Sequence, residues 1–147
     1  MTDSVTLRQQ LAALHQQGFV LLPAVLDPAG IAALREAIDG LEPIHWDYQG
    51  LVDDHYKCVF NRSPFWLRFL DLPGVIELAE AALGTDCHII GQTAWRSRYL
   101  LQIHYGRRMV AQKFSPYLHF RFNPEVLAAA TPRQRRLLGE HEAAEYD

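Results

Sequence analysis

Apolar positions near the start of the chain recur at helical spacing. Leu7, Leu11 and Leu14 follow Thr6 and Gln9, which match a capping box, and Gly18 offers a stop, so the spacing predicts a first helix. Residues 19–22 are a short apolar run closed by Pro23. This predicts a short buried or edge strand, because proline has no N–H to give to a ladder. A second helix follows, with Asp27 as its cap and Pro28 in its first turn. Ile31, Leu34, Ile38 and Leu41 form its apolar stripe, while Arg35, Glu36 and Asp39 lie on the face expected to be solvated.

From Glu42 to Arg62 no period persists, and Pro43, Gly50, Asp53 and Asp54 interrupt the pattern, which predicts a loop with one short strand near residues 56–60. Ser63 and Pro64 open a short helix bearing Phe65, Trp66, Phe69 and Leu70. Pro73 opens another, with Val75, Ile76, Ala79 and Leu83, ended by Gly84. The aromatic trio Phe65, Trp66 and Phe69 sits at helical spacing and reads as core rather than as a substrate platform.

After Gly84 the period becomes alternating, and residues 87–95 and 98–105 read as two strands. In the second, Arg98, Leu100, Gln102 and His104 share one face, and Tyr99, Leu101, Ile103 and Tyr105 share the other. Only Arg96 and Ser97 lie between them. That is short for a hairpin loop, and neither is the glycine or asparagine that twist-matched turns favour. The tail is expected to turn at Pro116 and to form two short helices. One is opened by Asn123 and Pro124, the other by Thr131 and Pro132, with Gln134 completing a capping box.

Composition narrows the class. A chain of 147 residues, 49% apolar and 21% charged, suits a single domain with one core. A net charge of -3 and a pI near 6.1 supply no whole-chain attraction to nucleic acid or anionic lipid. Arg133, Arg135 and Arg136 form a local basic cluster that reads as a solvated helix face. No stretch approaches a membrane span and residues 1–7 are polar, so a cytoplasmic protein with no membrane or nucleic-acid partner is expected. Cys58 and Cys87 stand far apart and read as reduced packing residues.

Residues 18–38, GFVLLPAVLDPAGIAALREAI, resemble the amino-terminal module of the phytanoyl-CoA dioxygenase family. Residues 53–84 look like the linker and helices that precede the barrel in bacterial members, and RYLLQIHYGRR, residues 98–108, is similar to a late barrel strand. The resemblance implies an Fe(II)- and 2-oxoglutarate-dependent hydroxylase of a small organic substrate, on a double-stranded β-helix. It also locates a gap. The family's His-x-Asp pair and third histidine belong between the two strands that here nearly meet, so the metal ligands that iron requires are expected to be missing.

Three cosubstrate residues carry over by resemblance. Arg98 matches the arginine that pairs with the distal carboxylate of 2-oxoglutarate, a task for a planar bidentate donor. Lys57 and Gln92 fall near positions that line the same pocket. Two readings of Arg98 stand side by side: retained anion binding, or a solvated side chain left by an emptied pocket. The chain has one His-x-Asp, at His45 and Asp47, and with 7 histidines and 17 acidic residues about one such pair is expected by chance. A displaced metal site there would need His55, His104 or His119 as a third ligand. His104 by itself reads as a histidine satisfied by a hydrogen bond.

The expected fold is therefore α+β, a helical layer packed on a small remnant of a jelly-roll sheet, in one domain. Residues 1–84 form a mainly helical module, 85–110 the strand remnant and 111–147 a tail with short helices. Two functional expectations follow: a shortened family member whose oxygenase chemistry is impaired, or a non-catalytic binding or assembly protein of the same descent. Strand edges uncovered by the shortening are expected to promote self-association.

Overall fold

The computed structural model describes residues 4–44, 47–50, 53–107, 110 and 122–140. Helix α1 (Ser4–Gln17) half-buries Leu7, Leu11 and Leu14 and packs on α3 (Val75–Leu83). Helix α2 (Pro28–Asp39) starts as expected: the Asp27 carboxylate accepts from the Gly30 N–H at 2.7 Å, and Pro28 needs no partner in the first turn. Its stripe is narrower than the spacing predicts. Ile38 and Leu41 are buried, Leu34 packs against the core, and Ile31 is exposed.

The expected strand over residues 19–22 does not form. The segment is irregular, Phe19 and Leu21 lie in solvent, and among the described residues no strand lies beside it to pair with its backbone. The sheet is instead antiparallel and four-stranded, in the order β1 (Tyr48–Gln49), β2 (Asp54–Lys57), β3 (His88–Trp95) and β4 (Leu100–Gly106). Thus the strand expected near residues 56–60 lies earlier, and Val59–Asn61 forms a 3₁₀ turn after Cys58, whose φ of 54° turns the chain out of the strand.

The core fills the space between one sheet face and the helices. Tyr56, Ile89 and Ala94 on the sheet are buried, and so are Phe60, Phe69, Leu70 and Ile76, with Val126 and Leu137 from the tail. The trio Phe65, Trp66 and Phe69, on the 3₁₀ helix Pro64–Phe69, packs ring against ring at centroid distances of 5.7 to 6.1 Å; Trp66 and Phe69 are buried, as expected of core, while Phe65 is only partly buried. Helices α4 (Pro124–Ala129) and α5 (Pro132–Leu137) start at their predicted caps, Asn123 and the Thr131–Gln134 box. The basic cluster on α5 is not simply solvated. Arg133 and Arg136 both reach the Glu80 carboxylate, at 2.7 and 2.9 Å, and tie α5 to α3. The expected turn at Pro116 lies outside the described residues.

Strands β3 and β4 form an antiparallel hairpin whose register shifts once, between Ile89 and Gly91. Trp95 pairs with Leu100, so the turn comprises residues 96–99 rather than Arg96 and Ser97 alone. With no glycine available, Tyr99 adopts the left-handed conformation, φ 46°, which costs a residue with a Cβ about 1–2 kcal/mol. Tertiary contacts offset this cost. The Tyr99 hydroxyl donates to both oxygens of Asp39 at 3.1 and 3.2 Å, and the Arg35 guanidinium lies 5.3 Å from its ring. Arg35 and Asp39 lie exposed, as the helical pattern expects, and make these contacts at the surface.

Arg96 makes the second attachment of this turn. Its Nη2 donates to the carbonyls of Asp39 and Leu41 at 3.1 and 3.0 Å and approaches that of Ile38 at 3.5 Å, while Nη1 reaches Asp54 at 3.5 Å. Asp39 ends α2 and Leu41 lies just beyond it, so these donors meet backbone that the helix no longer pairs, and a cation there also complements the helix dipole. The guanidinium lies 4.8 Å from the Tyr56 ring centroid, so one side chain joins α2, β2 and the β3–β4 turn. Replacing Arg96 by methionine, which keeps the aliphatic stem, is expected to cost about 2 kcal/mol in urea unfolding. Lysine should recover less than half of that, because it cannot span the same carbonyls.

Candidate binding site

The residues singled out by resemblance do not converge. Arg98 lies in the exposed hairpin turn, not on β4, because the left-handed Tyr99 interrupts the alternation that would have aligned it with Leu100, Gln102 and His104. Among the described residues it forms no ion pair. Lys57 pairs with Thr93, which puts it on the open sheet face, in solvent. Gln92, the next residue along β3, points to the opposite face and is buried, with its side-chain oxygen accepting from the Phe60 N–H at 2.5 Å. These three side chains line no common pocket.

The iron ligands fare similarly. His45 and His119 lie outside the described residues. Asp47 is buried to 1% side-chain exposure, and both of its oxygens are engaged by Arg62 at 2.7 Å. They also accept from the backbone N–H groups of Lys57 and Ile44, at 2.7 and 2.8 Å. His55 stacks on Trp95 with centroids 3.6 Å apart, and His104 is exposed on β4 beside Gly91. Among the described residues no three His, Cys, Asp or Glu side chains are grouped to hold a metal. The donor set described does not fit the Fe(II) and 2-oxoglutarate site that the resemblance implies.

A different site is built where α2 faces the segment that follows β2. Ala33 and Ala37 lie one turn apart on one side of α2, Leu41 follows just beyond its end, and Phe65 and Trp66 stand opposite. Because both of these helix residues are alanine, their side chains fill little of the space beside α2. The result is a groove of about 810 Å³, completed by Gly40, Ile44, Cys58, Asn61 and Ser63, with Arg62, Glu36 and Glu42 as its charged residues.

Arg62 keeps one wall in place. Its Nε and Nη2 donate to the Lys57 carbonyl at 3.0 and 2.8 Å, Nη1 donates to the Glu42 carbonyl at 2.7 Å, and Nη2 meets Asp47. The ion pair is largely withdrawn from water, and its hydrogen bonds to backbone compensate the lost hydration. Sequence pattern alone did not mark Arg62 or Asp47 as partners. The usable signal was weak: an acidic and a basic residue inside a stretch with no period, where side chains must replace the backbone ladder.

Cys58 lines the same groove. Burial pushes its thiol up to about 11 from an ordinary value of 9.0, an effect that nearby Arg62 partly opposes. An unfolded chain ionises this thiol from about pH 9, whereas the folded protein holds it neutral to about pH 11. Its contribution to stability is therefore complete below pH 9 and is lost as pH rises through 11. Urea unfolding should show the wild type losing about 2 kcal/mol more than Cys58→Ala across that interval, the tyrosines affecting both alike. No family model matches this chain, and neither a curated protein nor a solved structure matches it.

Proposed function

We propose that this chain is a non-catalytic binding protein that holds a small organic molecule in the groove between α2 and the Pro64–Phe69 helix. Its helical layer and sheet are read as a shortened relative of the phytanoyl-CoA dioxygenase framework, on the resemblance of residues 18–38, 53–84 and 98–108. The observation that carries the reading is the groove itself. At about 810 Å³ it falls within the range of roughly 300–1,000 Å³ usual for small-molecule sites, and its lining is mostly apolar with a few polar groups. Arg62 and the packed aromatic trio hold its walls before any ligand arrives, which lowers the ordering cost of binding.

The oxygenase reading is the weaker of the two because Asp47 is committed to Arg62 and because Arg98, Lys57 and Gln92 lie apart. Purified protein supplied with ferrous iron and 2-oxoglutarate is expected to form no succinate. The neutral dye prodan is expected to bind saturably with a blue-shifted emission, and Ala33→Trp, which fills the groove, should abolish that signal while preserving the thermal transition. Succinate formation lost in His45→Ala would sink this proposal in favour of a displaced iron site. Unsaturable dye uptake, equal in both proteins, would remove the groove as its basis.

Self-association belongs to the same reading. β4 ends the sheet, and among the described residues no strand pairs with its outer edge. Light scattering on a size-exclusion column is expected to report a dimer or larger species at micromolar concentration; a monomer would count against this part.

A further inference from the structure

We infer that the groove selects an organic cation, an apolar body carrying a protonated amine, over an anion of the same shape. The inference rests on the binding reading above and concerns the charges that line the site. Among the described residues, three ionisable ones other than Cys58 line it: Glu36, Glu42 and Arg62. Arg62 has no charge to offer a ligand. Asp47 meets it at 2.7 Å with both oxygens, and each guanidinium nitrogen already donates to a carbonyl or to that carboxylate. The planar fork that would receive a ligand carboxylate is occupied from inside the protein.

Glu36 and Glu42 are in the opposite condition. Both are exposed, and neither forms an ion pair with another described residue. Among the described residues, the groove thus presents two carboxylates without an ion-pair partner beside walls of alanine, leucine and aromatic side chains. Low-dielectric walls strengthen the field at such a site, so a cation is attracted and an anion repelled. Arg68, which lies 4.1 Å over the Phe65 ring, does not offset this: it is exposed and lies outside the groove lining. An aliphatic or aromatic body would occupy the apolar walls and leave its ammonium beside the two glutamates.

The test compares 4-phenylbutylamine with 4-phenylbutyrate, which share a body and differ in the sign of the end group, by isothermal titration calorimetry on the full chain. The amine should bind at least about ten-fold more tightly than the acid. Glu36→Gln and Glu42→Gln should each weaken the amine about two- to five-fold, an effect that shrinks in high salt, and should leave the acid equal or better bound. Ala33→Trp should abolish binding of both. Equal binding of amine and acid, both lost in Ala33→Trp, would overturn the charge selection while leaving the groove as a binding site. Binding of neither probe, or binding untouched by Ala33→Trp, would overturn the inference together with the reading beneath it.

Discussion

The guanidinium of Arg96 sits where three parts of this fold would otherwise come apart. A helix that ends near the core leaves carbonyls without partners, and α2 ends against the sheet with only Gly40 to terminate it. Arg96 supplies donors to the Asp39 and Leu41 carbonyls, approaches Asp54, and lies over the Tyr56 ring. Tyr99 then anchors the same turn to the Asp39 carboxylate. The hairpin turn is consequently held to the end of α2, which permits a residue with a side chain to occupy a left-handed position that glycine would normally take.

The groove depends on this attachment on one side and on Arg62 on the other. α2 is one wall, and its direction is set partly by the contact at its C-terminus. The opposite wall follows Cys58 and the turn through Arg62, whose ion pair with Asp47 fastens the irregular segment before β2 to the segment after it. Tyr56 lies between the two guanidiniums, 4.8 Å from Arg96 and 5.7 Å from Arg62. Both arginines thus serve structure. Among the described residues, the one arginine lining the groove is taken up by an internal carboxylate.

The hairpin also changes what the sheet can do. In the expected arrangement Arg98 would begin a strand and look along the same face as Gln102 and His104. Closing the turn with Tyr99 moves Arg98 into solvent and leaves that face with Lys57, Thr93, Gln102 and His104, side chains that the register sets side by side without a metal-binding group among the described residues. No helix among the described residues is long and apolar enough to cross a membrane.

What the sequence determined by itself was local. Asp27, Asn123 and the Thr131–Gln134 pair cap helices at the expected positions because a cap is made within three residues of chain, whereas Thr6 and Gln9, expected to open α1, lie inside it. The alternation of β4 was legible for the same reason: Leu101, Ile103 and Tyr105 turn toward the core, and Leu100, Gln102 and His104 away, whereas that of β3 holds from Gln92 to Trp95 and breaks at the register shift between Ile89 and Gly91. Residues 19–22 carry a strand-like pattern yet form none, since a strand exists only with a partner for its backbone. The roles of Arg96, Arg62 and Asp47 and the groove beside Ala33 and Ala37 were decided by tertiary structure alone. Each is made by groups distant in sequence, and periodicity reports which residues turn inward without saying what they meet there.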